Sequence, residues 1–398
     1  MRLRARLLAV TAAAGALACL ALQPSPAATA ASPAPTPATA ASPSPPPARS
    51  YDTVGGPLMA GHGTVVNYPA KGAQRLPSVP ASAYVIANAD TGQVLAAQDP
   101  HGKFGPASTL KVLTAITLIP RLNPNAMVPA TRLATSAEPM SAGLITGRRY
   151  KVSDLFTALL TISANDAAVA LTQATGSFAR GMALINAEAH HLQAYDVVAK
   201  QPNGLPAAGQ VESAYDEALI ARQALATPAF MKYDSTLSAR FEVKPRDYET
   251  LVNQNWLLTK YPGGIGGKIG WTISSEATYV GLARRHGVTL IVTILHCTAL
   301  QEITSAVKLL NWGFAMNGKV KPVGVLVPPL ASAARRATAR PARRPGQAAA
   351  AGAPGSQPPG SSWPGGYVLA AGAAAVGGLG FGGLARSRRR LAAGRHRR

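Results

Sequence analysis

Large apolar side chains are concentrated in the middle of this 398-residue chain, which limits where a core can form. Two stretches rich in Pro, Ala and Ser flank that middle part, SPAPTPATAASPSPPPARS and ASAARRATARPARRPGQAAAAGAPGSQPPGSS. Such compositions favour extended or flexible spacers, because they contain too few large apolar residues to bury. The sequence therefore predicts one substantial domain over residues 75–330, a disordered segment over 32–74 and a flexible linker over 331–362.

The two chain ends resemble targeting and anchoring signals. Three arginines precede an apolar run over residues 7–22 and small residues follow it, so residues 1–31 are predicted to be a secretory signal peptide. The uncharged run over 363–384 is long enough for one bilayer-spanning helix, and the arginine-rich tail 385–398 belongs in the cytoplasm by the positive-inside rule. We therefore expect a single-pass protein of the cell membrane whose middle domain is extracellular.

The formal net charge of +22 is concentrated at the predicted anchor. Residues 331–398 contain 12 arginines and no Asp or Glu, whereas residues 75–330 carry 22 Lys and Arg against 16 Asp and Glu. No nucleic-acid partner is required by this distribution. Removal of the signal peptide leaves Cys297 as the only cysteine, so we predict no disulfide, no metal site of Cys/His spacing and no cofactor.

The stretch GGIGGKIGWT, residues 263–272, places Lys268 among glycines, which allows a backbone to approach an anion closely. A phosphate-binding loop of the Walker type is excluded, because Pro262 replaces its first glycine and Ile269 replaces its hydroxyl residue. The following segment, ATYVGLARRHGVTLIVTIL, alternates like the two strands of a hairpin. Lys268 could meet a substrate carboxylate, or it could be a solvated lysine in a turn.

A serine and a lysine share one face at the start of a predicted helix. In GPASTLKVLTAITLI, Ser108 and Lys111 are three residues apart in the first turn. A serine hydroxyl becomes a nucleophile when a base removes its proton, and a desolvated lysine can be that base. A plain N-terminal serine beside a surface lysine is the alternative, and it is common.

A second pair of polar residues lies at the break between two apolar segments. In LLTISANDAAVAL, Ser163 and Asn165 precede an Ala-rich helix. Ser163 could relay a proton to a leaving nitrogen, and Asn165 could hydrogen-bond a substrate amide. Capping of the helix is the alternative, because Ser, Asn and Asp all favour that position.

The order S-x-x-K, then S-x-N, then K-x-G is a much stronger signal than any one of these motifs. With it, the chain resembles the bacterial D-alanyl-D-alanine carboxypeptidases, the serine peptidases of the low-molecular-weight penicillin-binding group. The resemblance covers residues 82–317 and includes VIANADTGQVLAAQDP, PASTLK, GRRYKVSDLFTALLTISANDAA, PNGLPAAGQVESAYDEALIARQAL and GKIGWT. It implies an α+β domain of the β-lactamase/transpeptidase-like type, in which an antiparallel sheet carries the lysine strand beside a helical region.

The same resemblance implies a role for each motif residue. Ser108 is the acylated nucleophile, Lys111 is its base, and Ser163 with Asn165 completes the proton relay and the substrate contact. Lys268 faces the terminal carboxylate of the substrate, and the backbone N–H groups of Ser108 and Trp271 form an oxyanion hole. The other expected substrate-binding residues are Gly270, Trp271 and Thr272. The implied substrate is a peptidoglycan stem peptide ending in D-Ala-D-Ala, and β-lactams are the implied covalent inhibitors.

Ile269 departs from the family pattern, which usually has a hydroxyl residue between the lysine and the glycine. Ile269 cannot donate a hydrogen bond, although Thr272 keeps a hydroxyl nearby. Loss of one hydrogen bond to a charged group costs about 1.5–3 kcal/mol. A slow enzyme, a shifted substrate and a catalytically silent wall-binding protein are therefore all open, and a β-lactamase would share the three motifs.

Overall fold

Side-chain alternation along the long strands explains the layered structure of this chain. A computed structural model describes residues 53–331. In the strand Ala81–Asn88, Val85 packs into one apolar cluster while Tyr84 and Ile86 pack into another on the opposite face. Because successive side chains of a strand point to opposite faces, a strand that is buried throughout needs helices on both sides of its sheet.

The main sheet is antiparallel and has seven strands within the described residues. Its order is β1-β3-β2-β10-β9-β8, with β11 paired to β3. Two short two-stranded sheets, β4-β5 and β6-β7, lie outside it. The strands are β1 Thr64–Val66, β2 Ala81–Asn88, β3 Gln93–Gln98, β4 Met127–Pro129, β5 Arg149–Lys151, β6 Ser238–Lys244, β7 Asp247–Val252, β8 Gly264–Thr272, β9 Glu276–Arg285, β10 Val288–Cys297 and β11 Gly324–Val325.

Helices cover both faces of this sheet. The larger cluster joins one face to α1, α3, α4, α5 and α6, and the smaller cluster joins the other face to α9. The helices are α1 Lys111–Leu118, α2 Arg132–Thr135, α3 Val152–Thr161, α4 Asn165–Gln173, α5 Phe178–His191, α6 Ala214–Leu225, α7 Pro228–Asp234, α8 Leu257–Lys260 and α9 Glu302–Met316. This arrangement is the predicted α+β class, with an antiparallel sheet beside a helical region.

The ordered structure begins earlier than the sequence predicts. Met59 is fully buried, and β1 pairs with β3. Met59 and β1 both lie in the segment 32–74 that is predicted to be disordered. β1 pairs through its backbone with the edge of β3, an interaction that composition does not reveal. The predicted signal peptide 1–31 and the predicted membrane helix 363–384 lie outside the described residues. Among residues 53–331, no helix is long and apolar enough to cross a membrane.

Candidate active site

The nucleophile motif lies in a strained turn at the start of α1. Ser108 belongs to the 3-10 turn Ala107–Leu110, and Lys111 is the first residue of α1. Ala107 has a φ of 47°, a left-handed conformation that side chains other than glycine rarely adopt. Gly204 presses against this turn, since a Cβ at Gly204 would lie 1.6 Å from the Ala107 carbonyl oxygen. Backbone strain of this kind is often found at functional sites.

Lys111 is buried and directed at the nucleophile. Its Nζ lies 2.8 Å from Ser108 Oγ, 2.8 Å from Asn165 Oδ1 and 2.7 Å from the Asn203 carbonyl oxygen. Burial, followed by repulsion from Lys268, lowers the pKa of Lys111 well below its usual value, and Asp166 partly opposes this. A neutral amine here donates hydrogen bonds to Asn165 Oδ1 and to the Asn203 carbonyl oxygen, and it can accept the Ser108 hydroxyl proton. The alternative of a surface lysine is therefore wrong.

Ser163 and Asn165 occupy the loop between α3 and α4. Ser163 has a φ of 63°, and its buried Oγ has no hydrogen-bond partner among the described residues. The N-cap of α4 is Ala164, and no side chain caps this helix, so the capping interpretation is wrong. Asn165 Oδ1 accepts from Lys111, which joins the second motif to the first. An unpartnered buried hydroxyl is uncommon in a folded protein and needs an explanation.

Asp166 holds the neighbouring loop in place. This buried carboxylate accepts hydrogen bonds from the backbone N–H groups of Ala142, Leu144 and Ala167. The backbone N–H of Asn165 donates to the Met140 carbonyl oxygen at 2.6 Å. The first turn of α4 and the loop over residues 140–144 therefore form one fixed wall beside Lys111.

Lys268 lies inside strand β8 and is only 3% exposed, so the solvated-turn alternative is wrong. Its Nζ donates to the Ile269 carbonyl oxygen at 2.6 Å. Burial lowers the pKa of Lys268 to about 8, and the carboxyl groups of Asp234 and Glu217 partly oppose this. A buried cation interacts more strongly with an anion than a solvated cation does.

Gly270 lets β8 approach the nucleophile turn. A Cβ at this position would lie 2.3 Å from Thr278 Oγ1 and 2.7 Å from the Ser108 backbone nitrogen. Any other residue would push the strand away from the turn. β8 is at one end of the strand order, and Trp271 is more than half exposed beside the site. The Thr272 hydroxyl accepts from the Ser275 backbone N–H and keeps its own proton to donate.

Three buried acids near the site were not singled out from the sequence. Thr109 Oγ1 donates to Glu212 Oε1 at 3.1 Å, and Asp234 Oδ2 accepts from the Gly267 backbone N–H at 2.7 Å. Burial raises the pKa of Asp234 to about 7, and burial also raises the pKa values of Glu212 and Glu217. Acids at the ends of helices look like ordinary surface residues in sequence, so only the fold reveals their burial.

Five of the predicted site residues, Ser163, Asn165, Gly270, Trp271 and Thr272, line one cleft of about 660 Å³, and Gly270 also lies against the backbone of Ser108. A serine beside a buried lysine, next to a strand that carries a second lysine, is typical of serine hydrolases whose base is lysine. The family model described as D-alanyl-D-alanine carboxypeptidase matches residues 70–299. The chain belongs to this family of serine hydrolases, and the resemblance inferred from the three motifs is confirmed.

Curated relatives support the same family. The chain is 37% identical over 254 residues to D-alanyl-D-alanine carboxypeptidase DacB2 of Mycobacterium tuberculosis, covering 62% of this chain and 86% of that protein. It is 26% identical to DacF of Bacillus subtilis over 242 residues, which is 59% of this chain and 62% of the relative. The matched part of this chain thus spans less than two thirds of the length of DacF.

Solved structures show the same fold. A putative penicillin-binding protein homolog from Mycobacterium tuberculosis superimposes with a TM-score of 0.62 and 36% identity, covering 65% of this chain and 99% of that one. A mutant DD-transpeptidase of Streptomyces K15 gives a TM-score of 0.57 and 26% identity, covering 60% and 99%. The predicted penicillin-binding, transpeptidase-like fold is therefore confirmed over the matched part.

Proposed function

We propose that this chain removes the terminal D-alanine from peptidoglycan stem peptides ending in D-Ala-D-Ala, through an acyl-enzyme on Ser108. The observation that carries the proposal is the 2.8 Å separation between the fully buried Lys111 Nζ and the Oγ of the half-buried Ser108. A lysine whose pKa is lowered by burial can take the serine proton, which a solvated lysine cannot do at neutral pH.

The arrangement supports a two-step reaction. Ser108 Oγ attacks the carbonyl carbon of the penultimate D-alanine, and its proton moves to Lys111 Nζ. The C–N bond then breaks, and the Ser163 hydroxyl passes a proton to the leaving nitrogen. Water hydrolyses the ester and frees Ser108. Backbone N–H groups of Ser108 and Trp271 stabilise the oxyanion in both steps.

Lys268 and Thr272 are assigned to the terminal carboxylate of the substrate. Lys268 supplies a buried positive charge, and Thr272 supplies a hydroxyl proton, since its oxygen already accepts from Ser275. A β-lactam carries a carboxylate and a strained amide in a similar arrangement. We therefore expect β-lactams to acylate Ser108 and to act as covalent inhibitors.

Replacement of the nucleophile tests this function. Ser108→Ala should abolish D-alanine release from diacetyl-Lys-D-Ala-D-Ala and labelling by a fluorescent penicillin, because no hydroxyl remains beside Lys111. Ser136→Ala, at an exposed position, should keep both activities. Undiminished labelling of the Ser108 variant in mass spectrometry would contradict the assignment. A stable adduct on the natural chain indicates the peptidase, fast release a β-lactamase, and no adduct a silent binding protein.

The proposed location is the outer face of the cell membrane. It rests on the signal-like residues 1–31 and on the apolar run 363–384 with its arginine-rich flank. Protease added to intact, wall-stripped cells should remove the catalytic domain and spare the tail 385–398, because the tail lies behind the bilayer. Protection of the catalytic domain from protease would overturn this topology.

A further inference from the structure

The cleft beside Ser163 and Asn165 is mainly apolar away from the reacting groups. None of the described residues that line it carries a charged side chain. Most of its walls are formed by apolar residues, among them Pro139, Met140, Leu205, Pro206, Trp271 and Ile273. Lys268 is buried within β8 and is not among the residues that line this cleft.

Three of these apolar side chains are strongly exposed. Met140 is 40% exposed, Trp271 57% and Ile273 88%, and they come from both sides of the opening. Single exposed apolar residues are common on any protein, but a group of them around one concave site marks a binding surface. Gly270 lines the same cleft and lies against the Ser108 backbone, so this group borders the turn that carries the nucleophile.

The size of the cleft indicates which part of the peptide fills it. A cavity of about 660 Å³ is in the range that holds drug-sized ligands, which is more than one leaving D-alanine requires. The D-alanine carboxylate is assigned to Lys268. The remaining apolar space therefore falls to the acyl donor, whose long side chain precedes the two D-alanines.

A charged end on that side chain would be poorly placed in this cleft. An ammonium or carboxylate group that enters an apolar cleft loses water, and no lining residue offers it an opposite charge. An uncharged, acylated end would instead bury its methylene groups against Met140 and Ile273. Apolar burial of this kind is favourable in proportion to the area removed from water.

We propose that this cleft selects acyl donors whose side chain next to D-Ala-D-Ala is capped and apolar over donors with a free charged end. This inference deepens the proposed carboxypeptidase function and rests on it. The selecting surface consists of Met140, Trp271 and Ile273, which face the acyl donor and not the leaving D-alanine.

A substrate series tests the proposal on the full chain. Lys-D-Ala-D-Ala peptides with a free ε-ammonium group or an Nε-acetyl, butyryl or hexanoyl cap would be compared by D-alanine release. We expect kcat/KM to rise by up to about 4-fold per added methylene until the cleft is filled. The free ammonium peptide should be slower than the acetyl peptide by about 10-fold or more.

Matched variants identify the surface responsible. Ile273→Ser should flatten the dependence on cap length, whereas Leu300→Ser, at a 90% exposed position outside the cleft, should keep the natural dependence. Equal loss in both variants, or a flat series on the natural chain, would overturn the proposal.

The affinities of the same peptides for the Ser108→Ala variant, measured by calorimetry, provide a readout without turnover. A rise of affinity with cap length supports the apolar cleft even if no D-alanine is released, in which case only the proposed function fails. Flat affinities together with D-alanine release would reject the cleft proposal and leave the carboxypeptidase function in place.

Discussion

Ile269 lies between Lys268 and Gly270, where related sequences usually carry a hydroxyl residue. Its carbonyl oxygen accepts the hydrogen bond from Lys268 Nζ, the residue borders the cleft, and its partly buried side chain packs against the smaller apolar cluster. The backbone at this position is an ordinary strand, so a β-branched replacement fits without strain. The departure from the family pattern therefore removes one hydrogen-bond donor and leaves the lysine in place.

Restoring that donor should raise activity on substrates with a free carboxylate. We expect Ile269→Thr to increase kcat/KM by roughly 10-fold, from the strength of one hydrogen bond to a charged group. Ile269→Val, which keeps the branched shape without the hydroxyl, should give no such gain. The measurement is D-alanine release from a free-acid peptide beside hydrolysis of its C-terminal amide. Equal gains on both substrates would show that this position does not recognise the carboxylate.

At the scale of elements, the site depends on how closely β8 approaches the turn before α1. Gly270 is opposite Thr278 in the β8–β9 ladder and also lies against the backbone of Ser108. The turn itself is supported from the other side by Gly204. Two glycines from distant parts of the chain thus hold the nucleophile between a strand and a loop.

A methyl group at this contact should separate the strand from the nucleophile. Gly270→Ala would place a Cβ 2.7 Å from the Ser108 nitrogen, which forces a shift. A misplacement of about 1 Å can reduce the rate of catalysis by about 100-fold, and we expect a loss of that order in penicillin acylation. Gly61→Ala, with no atom within 4 Å of the added Cβ, should acylate normally. Normal acylation of Gly270→Ala, measured by mass spectrometry, would contradict the close approach.

At the scale of the whole molecule, the charge state of the site is set by groups from many elements. Lys111 from α1 and Lys268 from β8 are both buried, and burial, followed by repulsion from Lys268, lowers the pKa of Lys111. Asp234 at the end of α7 and Glu217 from α6 act in the opposite direction on Lys268. One lysine can therefore be neutral as a base while the other is charged for binding.

The pH dependence of substrate binding should report this balance. Lys268, with a pKa of about 8, is a cation below that pH and neutral above it, so KM for free-acid peptides should rise above about pH 8. Asp234→Asn removes a carboxylate that raises this pKa, so the rise should start at lower pH. Asp154→Asn, at an exposed position, should leave the profile unchanged. A rise in KM of the same size for amidated peptides would exclude Lys268 as its cause.

Local patterns were sufficient for much of this structure. The hairpin of β2 and β3, the serine and lysine at the start of α1 and the break before α4 are all predictable, because each depends on residues that are close in sequence. The order of the three motifs then indicated the family. The long hairpin of β9 and β10 was likewise evident from its alternating side chains.

Long-range packing decided the rest. By itself the sequence determined the order and spacing of the three motifs, whereas only the tertiary structure decided that Lys111 is buried among Ser108, Asn165 and the Asn203 carbonyl. The burial of Asp234 and the pairing of β1 with β3 also belong to the fold. The physical reason is that burial and edge pairing depend on which distant segment covers a residue, and a local pattern carries no information about that neighbour.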